Sequence, residues 1–313
     1  MNLNKQLIKN FVNVTSKAAI ACYKYIGKGD KLIADKAATD SMRKNLNNLD
    51  IDGTIVIGEG ELDEAPMLYI GEKLGSGKGP SLDIAVDPLE GTNFAAKNLP
   101  GALSVMSISS KGNLFNAPET YMEKIAVGKD IPFDATDLDF PIEKNIKNIA
   151  DVKNIDLTDI TACLLDRPRH KKIIDKLKKL KVNLKLITDG DISGALMVTN
   201  NKYKVDIFLG IGGGPEGVLA AAALSCLGGQ IQTRLVLNEY EKIKAKKLGI
   251  KDFKRKYQID DMIKGDVMFS ATAITDGEIV DGIKVSKEHF TASSITLHKS
   301  KKFYKKIKNI YQK

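Results

Sequence analysis

The sequence predicts a layered α/β (α+β) protein, and three observations indicate this class. Two amphipathic patterns at helical spacing, over residues 3–26 and 31–49, open the chain and predict helices. Short apolar runs rich in β-forming residues follow them and predict buried strands. From residue 161 onward strand and helix patterns alternate, as they do in layered α/β domains.

The predicted elements form a strand-rich first part and an alternating second part. Strands are predicted at 54–57, 82–86, 102–108 and 121–127, with a short helix opening at 63–66 and a glycine-rich loop at 71–80. In the second part, strands are predicted at 161–165, 184–187, 205–209, 267–274 and 293–297, and helices at 169–181, 191–198, 215–227 and 241–257. The lysine-rich tail from Lys299 predicts an exposed basic helix.

Residues 128–150 have the composition of a domain boundary. They contain Pro132 and Pro141, many Asp and Lys residues, and little apolar periodicity. A chain of 313 residues suits two domains of ordinary size. We therefore expect two domains, over residues 1–130 and 131–313.

The composition argues against several classes of protein. The net charge of +9 comes mainly from dispersed lysines, since only five of the 48 basic residues are Arg, and this argues against a nucleic-acid groove. The cysteines Cys22, Cys163 and Cys226 lie in apolar contexts without a CxxC motif, which fits a reducing compartment. No apolar run reaches the about 20 residues that span a bilayer. We expect a cytoplasmic protein with no nucleic-acid or membrane partner.

Acidic residues follow the predicted strands, and each has glycine nearby: Glu59, Asp87, Glu90, Asp189, Asp191 and Glu216. Ligands of open α/β sheets bind beyond the carboxyl ends of strands. An all-oxygen ligand set without His or Cys favours Mg²⁺ or Mn²⁺ over zinc. Pro88 is expected to end its strand, so that Asp87, Glu90 and the Thr92 hydroxyl share one turn. The alternative is an ordinary surface turn.

Two segments are candidates for binding an anion. The turn with Arg167 and Arg169, stiffened by Pro168, can clamp a phosphate, although it also fits a plain helix start. The segment 210–217 is glycine-rich and precedes a predicted helix, so it fits either a phosphate or sugar site or a tight turn. The residues alone thus predict a divalent-metal hydrolase of a small phosphorylated substrate, in which Thr92 orients the attacking water or relays its proton.

The same motifs resemble a known family. Asp87-Pro-Leu-Glu-Gly-Thr92 resembles the Asp-Pro-x-Asp-Gly-Thr/Ser signature of the lithium-sensitive, metal-dependent sugar and inositol phosphatases. Glu90 in place of the second Asp, together with residues 51–72, resembles the class II (bacterial-type) fructose-1,6-bisphosphatases. The segments 116–124, 167–170, 189–191, 210–217 and 269–275 match the same family.

The resemblance implies a layered αβαβα sugar-phosphatase fold, with a metal-binding phosphatase domain over 1–130 and an α/β sugar-phosphate-binding domain over 131–313. It also implies hydrolysis of the 1-phosphate of fructose 1,6-bisphosphate in gluconeogenesis, with inhibition by lithium. The implied metal ligands are Asp35 and Glu59 for one Mn²⁺ or Mg²⁺ ion and Asp87, Glu90 and Glu216 for another. The implied substrate contacts are Glu90, Gly91, Thr92, Tyr121, Arg167, Pro168, Arg169, Asp189, Gly190, Asp191 and Gly213, with Asp63 and Glu61 assisting the catalytic water alongside Thr92. We also expect a homo-oligomer, either a dimer or a tetramer.

Two segments depart from the family pattern. The run 234–261 is shorter than expected, and Leu32-Ile33-Ala34 replaces a more polar run before Asp35, which could be an ordinary helix acid. Three alternatives to the main function stay open. The enzyme could also accept sedoheptulose 1,7-bisphosphate, the chain could be an inactive sugar-phosphate sensor, or its basic tail could bind nucleic acid.

Overall fold

The computed structural model of the protein describes residues 5–58 and 67–313. It confirms the α/β class, with two mixed sheets that each pack against helices. Among the described residues, no helix combines the length and the apolar character needed to cross a membrane.

The helices and strands of the described residues are as follows. The helices are α1 (Lys5–Tyr23), α2 (Lys31–Asn47), α3 (Thr92–Lys97), α4 (Ile142–Lys153), α5 (Lys171–Lys179), α6 (Asp191–Met197), α7 (Gly214–Leu227), α8 (Glu239–Lys247) and α9 (Ile259–Met262). The strands are β1 (Asp52–Ile57), β2 (Lys73–Leu74), β3 (Ser81–Glu90), β4 (Leu103–Ser110), β5 (Tyr121–Val127), β6 (Thr161–Leu165), β7 (Asn183–Ile187), β8 (Ile207–Gly213), β9 (Gln230–Val236), β10 (Lys256–Gln258), β11 (Val267–Ala273), β12 (Lys284–Val285), β13 (His289–His298) and β14 (Phe303–Gln312).

The chain forms two compact units, of which unit 1 contains Met1–Asn116 and Ile263–Lys313. Its sheet has eight strands in the order β12-β13-β11-β4-β3-β1-β2, with β14 paired to β13. The pair β1–β3 is parallel, and the other pairs are antiparallel. Helices α1 and α2 pack on this sheet through apolar side chains that include Phe11, Met42 and Leu46.

A band of buried hydroxyl groups joins α1 to the sheet of unit 1. Thr272 on β11 donates to Thr15 on α1 at 2.8 Å and shares a hydrogen bond with Ser294 on β13 at 2.6 Å. Ser270 also lies 3.1 Å from the Thr15 hydroxyl. Because buried polar groups are costly unless they are hydrogen-bonded, these mutual contacts fix how α1 sits on the strands.

Unit 2 contains Ala117–Met262 and has a six-stranded sheet in the order β10-β9-β5-β8-β6-β7. Side chains alternate across its strands. On β5, Ile125 and Val127 belong to a core with residues of α4 and α5. The opposite face of β5 carries Met122 and Lys124, which lie against Gly217 of α7. Unit 2 is therefore a sheet between two layers of helices.

These units differ from the domains predicted at 1–130 and 131–313. The C-terminal strands β11 and β13 return to the first sheet, where β11 pairs with β4 along its whole length. The segment 128–150 lies inside unit 2 rather than between units. Within this segment, the Asp137 carboxylate accepts a hydrogen bond from the Lys256 ammonium at 2.6 Å. The Asn145 side-chain amide, in the first turn of α4, donates to the Asp137 backbone carbonyl at 3.0 Å. Pairing between strands that are far apart in the sequence, such as β4 and β11, leaves no local pattern from which these units could be predicted.

Several predicted elements were wrong. The tail is a strand, β14, rather than a helix. Its Phe303, Ile307 and Tyr311 recur every four residues, a spacing that fits either structure. Pairing with β13 decides in favour of the strand. Helix α4 and strand β9 were not predicted from the sequence. The helix predicted to end at residue 257 stops after Lys247, because Gly249 adopts a φ of +85° and breaks it. The helix predicted from 63 lies largely outside the described residues.

Candidate functional site

In unit 1, the end of β3 holds two buried carboxylates. The strand does not stop before Pro88 as predicted but continues to Glu90. Its pairing with β4 shifts between Asp87 and Glu90, and this bulge accommodates a proline that has no N–H for the ladder. One carboxylate oxygen of Asp87 and one of Glu90 lie within 4.8 Å of each other. Two acidic groups held this close repel unless a cation compensates them.

Gly91 connects this strand to α3 in the left-handed conformation, with φ +79°. A Cβ atom there would lie 2.8 Å from Phe94 Cδ2, so both conformation and space require glycine. The turn places Thr92 at the first position of α3, two residues after Glu90. Its hydroxyl thus directly follows the carboxylate pair along the chain, as the motif predicts.

Asp35 lies on α2, which packs against both β3 and α3. Burial raises the pKa of its carboxyl group to about 6. Its Oδ1 atom is buried and has no hydrogen-bond partner among the described residues. The nearby Cys22 thiol has its pKa raised to about 12, first by burial and then by the charge of Asp35. Asp35 is thus a half-buried acid whose buried Oδ1 is unsatisfied, rather than an ordinary surface acid.

Glu59, Glu61 and Asp63 lie outside the described residues. The strand before them, β1, ends at Ile57 and runs parallel to β3. Parallel strands present their carboxyl ends at the same edge of a sheet. The described part of unit 1 therefore contains Asp35, Asp87, Glu90 and Thr92 from the predicted site.

In unit 2, the glycine tract 210–213 belongs to the end of β8 and is not a turn. Side chains of other elements lie directly on these glycines. A Cβ atom at Gly212 would lie 1.6 Å from Asp191 Oδ2, and one at Gly213 would lie 1.9 Å from Glu216 Oε2. The tract therefore provides the space in which the two carboxylates sit.

A buried lysine compensates these carboxylates. The Lys124 ammonium forms a hydrogen-bonded ion pair with Asp191, and their side chains are 1% and 6% exposed. Burial raises the pKa of Glu216, while the charge of Lys124 lowers it and that of Asp191 raises it. Asp191 Oδ1 remains without a hydrogen-bond partner among the described residues. Lys124 was not predicted from the sequence, where its only signal was a lysine beside Glu123 in a strand that is otherwise free of charged residues.

Arg169 lies in a 3₁₀ turn formed by Pro168–His170, and Arg167 directly precedes that turn. The Arg169 guanidinium stacks on the Tyr121 ring at 4.9 Å, and its Nε donates to the Ile211 carbonyl at 2.8 Å. Arg167 Nη2 lies 3.8 Å from Asp189 Oδ1. Gly190, with φ +88°, then begins α6 at Asp191. Unit 2 thus gathers its predicted substrate-binding residues around Gly213 and the two arginines.

The residues of unit 1 fit a hard divalent cation. Their donors are carboxylate oxygens, which such ions prefer. The close pair Asp87 and Glu90 and the unsatisfied Asp35 oxygen are both features that a bound cation would compensate. The carboxylate donor set of unit 1 therefore fits a divalent metal ion.

Comparisons with known proteins agree with this chemistry. The family model described as bacterial fructose-1,6-bisphosphatase, glpX-encoded, matches residues 5–311. Fructose-1,6-bisphosphatase 1 class 2 of Escherichia coli K12 is 39% identical over 324 residues, covering 99% of this chain and 96% of that protein. Fructose-1,6-bisphosphatase class 2 of Haemophilus influenzae is also 39% identical, covering 99% and 97%.

Among solved structures, the extragenic suppressor protein suhB from Bartonella henselae aligns with a TM-score of 0.36 and 12% identity, covering 64% of this chain and 74% of that one. The extragenic suppressor from Pyrococcus furiosus gives 0.31 and 13%, covering 62% and 68%. Such values say nothing about function. The full-length match to the family model and the identity to its curated members do: the chain belongs to the glpX-encoded family of bacterial fructose-1,6-bisphosphatases.

Proposed function

We propose that this protein hydrolyses the 1-phosphate of fructose 1,6-bisphosphate, giving fructose 6-phosphate and phosphate, as a step of gluconeogenesis. The observation that carries the proposal is the junction after β3, where the buried carboxylates of Asp87 and Glu90 lie within 4.8 Å and directly precede Thr92. Membership of a family of phosphatases, with 39% identity to class 2 fructose-1,6-bisphosphatases, supports the same reaction.

We propose that Mn²⁺ or Mg²⁺ is the cofactor. Asp35 and Glu59 would hold one ion, and Asp87, Glu90 and Glu216 would hold another. Bound ions of this kind supply positive charge to phosphate oxygens and make a coordinated water more acidic. The all-carboxylate donor set supports this choice over zinc.

The chain's own residues then have distinct roles in the proposal. Thr92 orients the attacking water through its hydroxyl, and Glu61 and Asp63 assist in removing the proton from that water. Glu90 and Gly91 contact the phosphate that reacts. As the water oxygen bonds to phosphorus, the bond to the sugar O1 breaks and the sugar oxygen takes up a proton.

Unit 2 would bind the sugar and its second phosphate. Arg169 has its Nε and its face occupied by Ile211 and Tyr121, which leaves its terminal nitrogens to meet a phosphate. Arg167 and Pro168 complete that clamp. Asp189, Gly190, Asp191 and Gly213 would contact the sugar, whose hydroxyls suit carboxylate and backbone acceptors.

A panel of substrates tests the proposal. Phosphate release is measured from fructose 1,6-bisphosphate, sedoheptulose 1,7-bisphosphate and an inositol monophosphate, with Mg²⁺, Mn²⁺ or chelator, and with added Li⁺. We expect fructose 1,6-bisphosphate to be hydrolysed fastest, only with a divalent ion, and lithium to inhibit. Preference for the inositol phosphate, or activity that survives the chelator, would overturn the proposal. Comparable rates with both bisphosphates would indicate a bifunctional enzyme.

We further propose a cytoplasmic homo-oligomer, either a dimer or a tetramer. Cys22 is a buried free thiol, which suits a reducing compartment. Large apolar side chains such as Leu32, 71% exposed, and Ile310, 70% exposed, are candidates for burial between subunits. Light scattering coupled to size-exclusion chromatography gives the mass, and a monomer at micromolar concentration would contradict the oligomer.

A further inference from the structure

The His170 imidazole is fully buried in unit 2 and makes two directional hydrogen bonds to backbone. Its Nδ1 lies 2.7 Å from the Leu165 carbonyl at the end of β6, so Nδ1–H donates there. Its Nε2 accepts the Ile211 N–H of β8, also at 2.7 Å. Both bonds together define one neutral tautomer, which links the strand before the arginine turn to the strand beside it.

The Ile211 peptide is held from both sides by this turn. Its N–H goes to His170, and the carbonyl of the same residue accepts from Arg169 Nε at 2.8 Å. A closed ring of contacts therefore runs from His170 through Ile211 to Arg169 and back along the chain. The Tyr121 ring stacks on the guanidinium at 4.9 Å. Among the described residues, the terminal nitrogens of Arg169 have no protein partner.

Gly210 makes this arrangement possible. A Cβ atom there would lie 2.9 Å from His170 Nε2, and the residue has a φ of +140°, which side chains rarely adopt. Glycine therefore lets the imidazole reach the β8 backbone. The contact depends on a residue that is unusual in a central strand.

We infer that His170 is a positioning residue, which fixes the Arg169 guanidinium so that its terminal nitrogens meet the non-reacting phosphate of the substrate. The inference rests on the proposed function, because that phosphate belongs to the proposed substrate. His170 touches no substrate atom. Its effect passes through the Ile211 peptide, which is why it should alter binding of one phosphate and spare the chemistry at the other.

Two substitutions separate the hydrogen bonds from the volume of the ring. His170→Phe keeps a ring of similar size but loses both hydrogen bonds, whereas His170→Gln retains an acceptor for the Ile211 N–H. Each is assayed with fructose 1,6-bisphosphate and with fructose 1-phosphate, which lacks the anchored group. His298→Gln is the matched control, since His298 is a buried histidine in unit 1.

For His170→Phe we expect the KM for the bisphosphate to rise about tenfold or more, the scale of one charge-assisted hydrogen bond, with kcat little changed. The loss in kcat/KM should be smaller for fructose 1-phosphate. His170→Gln should recover most of the bisphosphate preference, and His298→Gln should retain it in full. Equal losses with both substrates, or an unchanged KM in a folded His170→Phe protein, would overturn the inference.

The pH dependence of the unmodified protein gives a second test, which holds even if His170→Phe does not fold. Protonation of Nε2 would remove the acceptor for the Ile211 N–H. Burial and the charge of Arg169 lower the pKa of His170 below its usual 6.5, while the charge of Asp191 raises it. The bisphosphate preference should therefore fall with acidification more steeply in the unmodified protein than in His170→Gln. Titration of the substrate phosphate affects both proteins equally and cancels in this comparison. Parallel profiles would contradict the inference.

The result also distinguishes the two levels of the proposal. If the unmodified protein hydrolyses neither sugar phosphate, the proposed function itself fails. If it hydrolyses fructose 1,6-bisphosphate and the substitutions leave its preference unchanged, only the role of His170 fails.

Discussion

The end of β3 in unit 1 and the end of β8 in unit 2 are both junctions from a strand to a helix, and they build their sites in opposite ways. After β3, the junction itself carries the acids, Asp87 and Glu90, and the Thr92 hydroxyl. At the end of β8, the glycines contribute no side chains of their own. They admit the side chains of Asp191, Glu216 and His170, the first and last of which come from elsewhere in the chain.

The two junctions also differ in how their charge is compensated. In unit 2, the Lys124 ammonium is buried beside Asp191. In unit 1, by contrast, burial alone raises the pKa of the Asp35 carboxyl group to about 6. The comparison teaches that one site carries its own cation, whereas the other is suited to take a cation from solution. Four predictions can break or sharpen it.

The largest effect should come from Thr92→Ala, which removes the hydroxyl at the β3 junction. We expect kcat to fall about 10²–10⁴-fold, the contribution of a positioned proton-transfer group. Metal binding, followed by calorimetry with Mn²⁺, should be largely retained because the carboxylates remain. Thr92→Ser keeps the hydroxyl and is the control. Full activity in Thr92→Ala would show that this junction does not contribute its hydroxyl to the reaction.

Lys124→Met should have the next largest effect, because it leaves the buried Asp191 carboxylate without its cation. Breaking a buried ion pair costs about 3–5 kcal/mol in the free energy of unfolding. The matched control is Lys36→Met, whose pair with Asp40 is 57% and 51% exposed and should contribute less than about 1 kcal/mol. Urea unfolding measures both. Similar losses in the two variants would show that Lys124 is not the compensating charge of unit 2.

Gly212→Ala tests whether the glycine tract acts by leaving space. Its Cβ would fall 1.6 Å from Asp191 Oδ2, so the carboxylate must move. A displacement of about 1 Å in a substrate-binding group can lower kcat/KM about 10²-fold. Gly277→Ala is the control, since its Cβ would meet neighbours only at ordinary distances of 3.5 Å and more. An equally active Gly212→Ala enzyme would remove the contrast between the two junctions.

Asp35→Asn should give the smallest effect on the free energy of unfolding, with a sign that depends on whether metal is bound. Burial raises the pKa of Asp35 from 3.8 to about 6, so the charged carboxylate destabilises the folded protein above pH 6 and this cost disappears as pH falls toward 3.8. In chelator, Asp35→Asn should therefore be more stable at pH 8 by about 1–3 kcal/mol and nearly equal at pH 4. Excess Mn²⁺ should reverse the order at pH 8. Lower stability of the variant at pH 8 in chelator would contradict this.

Local patterns predicted much of the fold, and the errors have a common cause. Strands β5 and β6 were predicted at their observed bounds, because buried runs of β-forming residues specify them locally. The predicted helix in the tail was wrong because the spacing of Phe303, Ile307 and Tyr311 suits a helix as well as a strand. Only the ten-residue pairing with β13 selects the strand. The predicted end of β3 at Pro88 was wrong because a bulge lets the strand continue.

The sequence by itself determined the family, the class of reaction and the acids of the β3 junction, since residues adjacent in the chain form that motif. Only the tertiary structure decided what the glycine tract does and that Lys124 and His170 belong to the unit 2 site. The physical reason is distance along the chain: Lys124, His170 and Asp191 meet the tract through strand pairing and helix packing. The role of these glycines depends on the side chains that pack against them, and the sequence around the glycines does not specify which side chains those are.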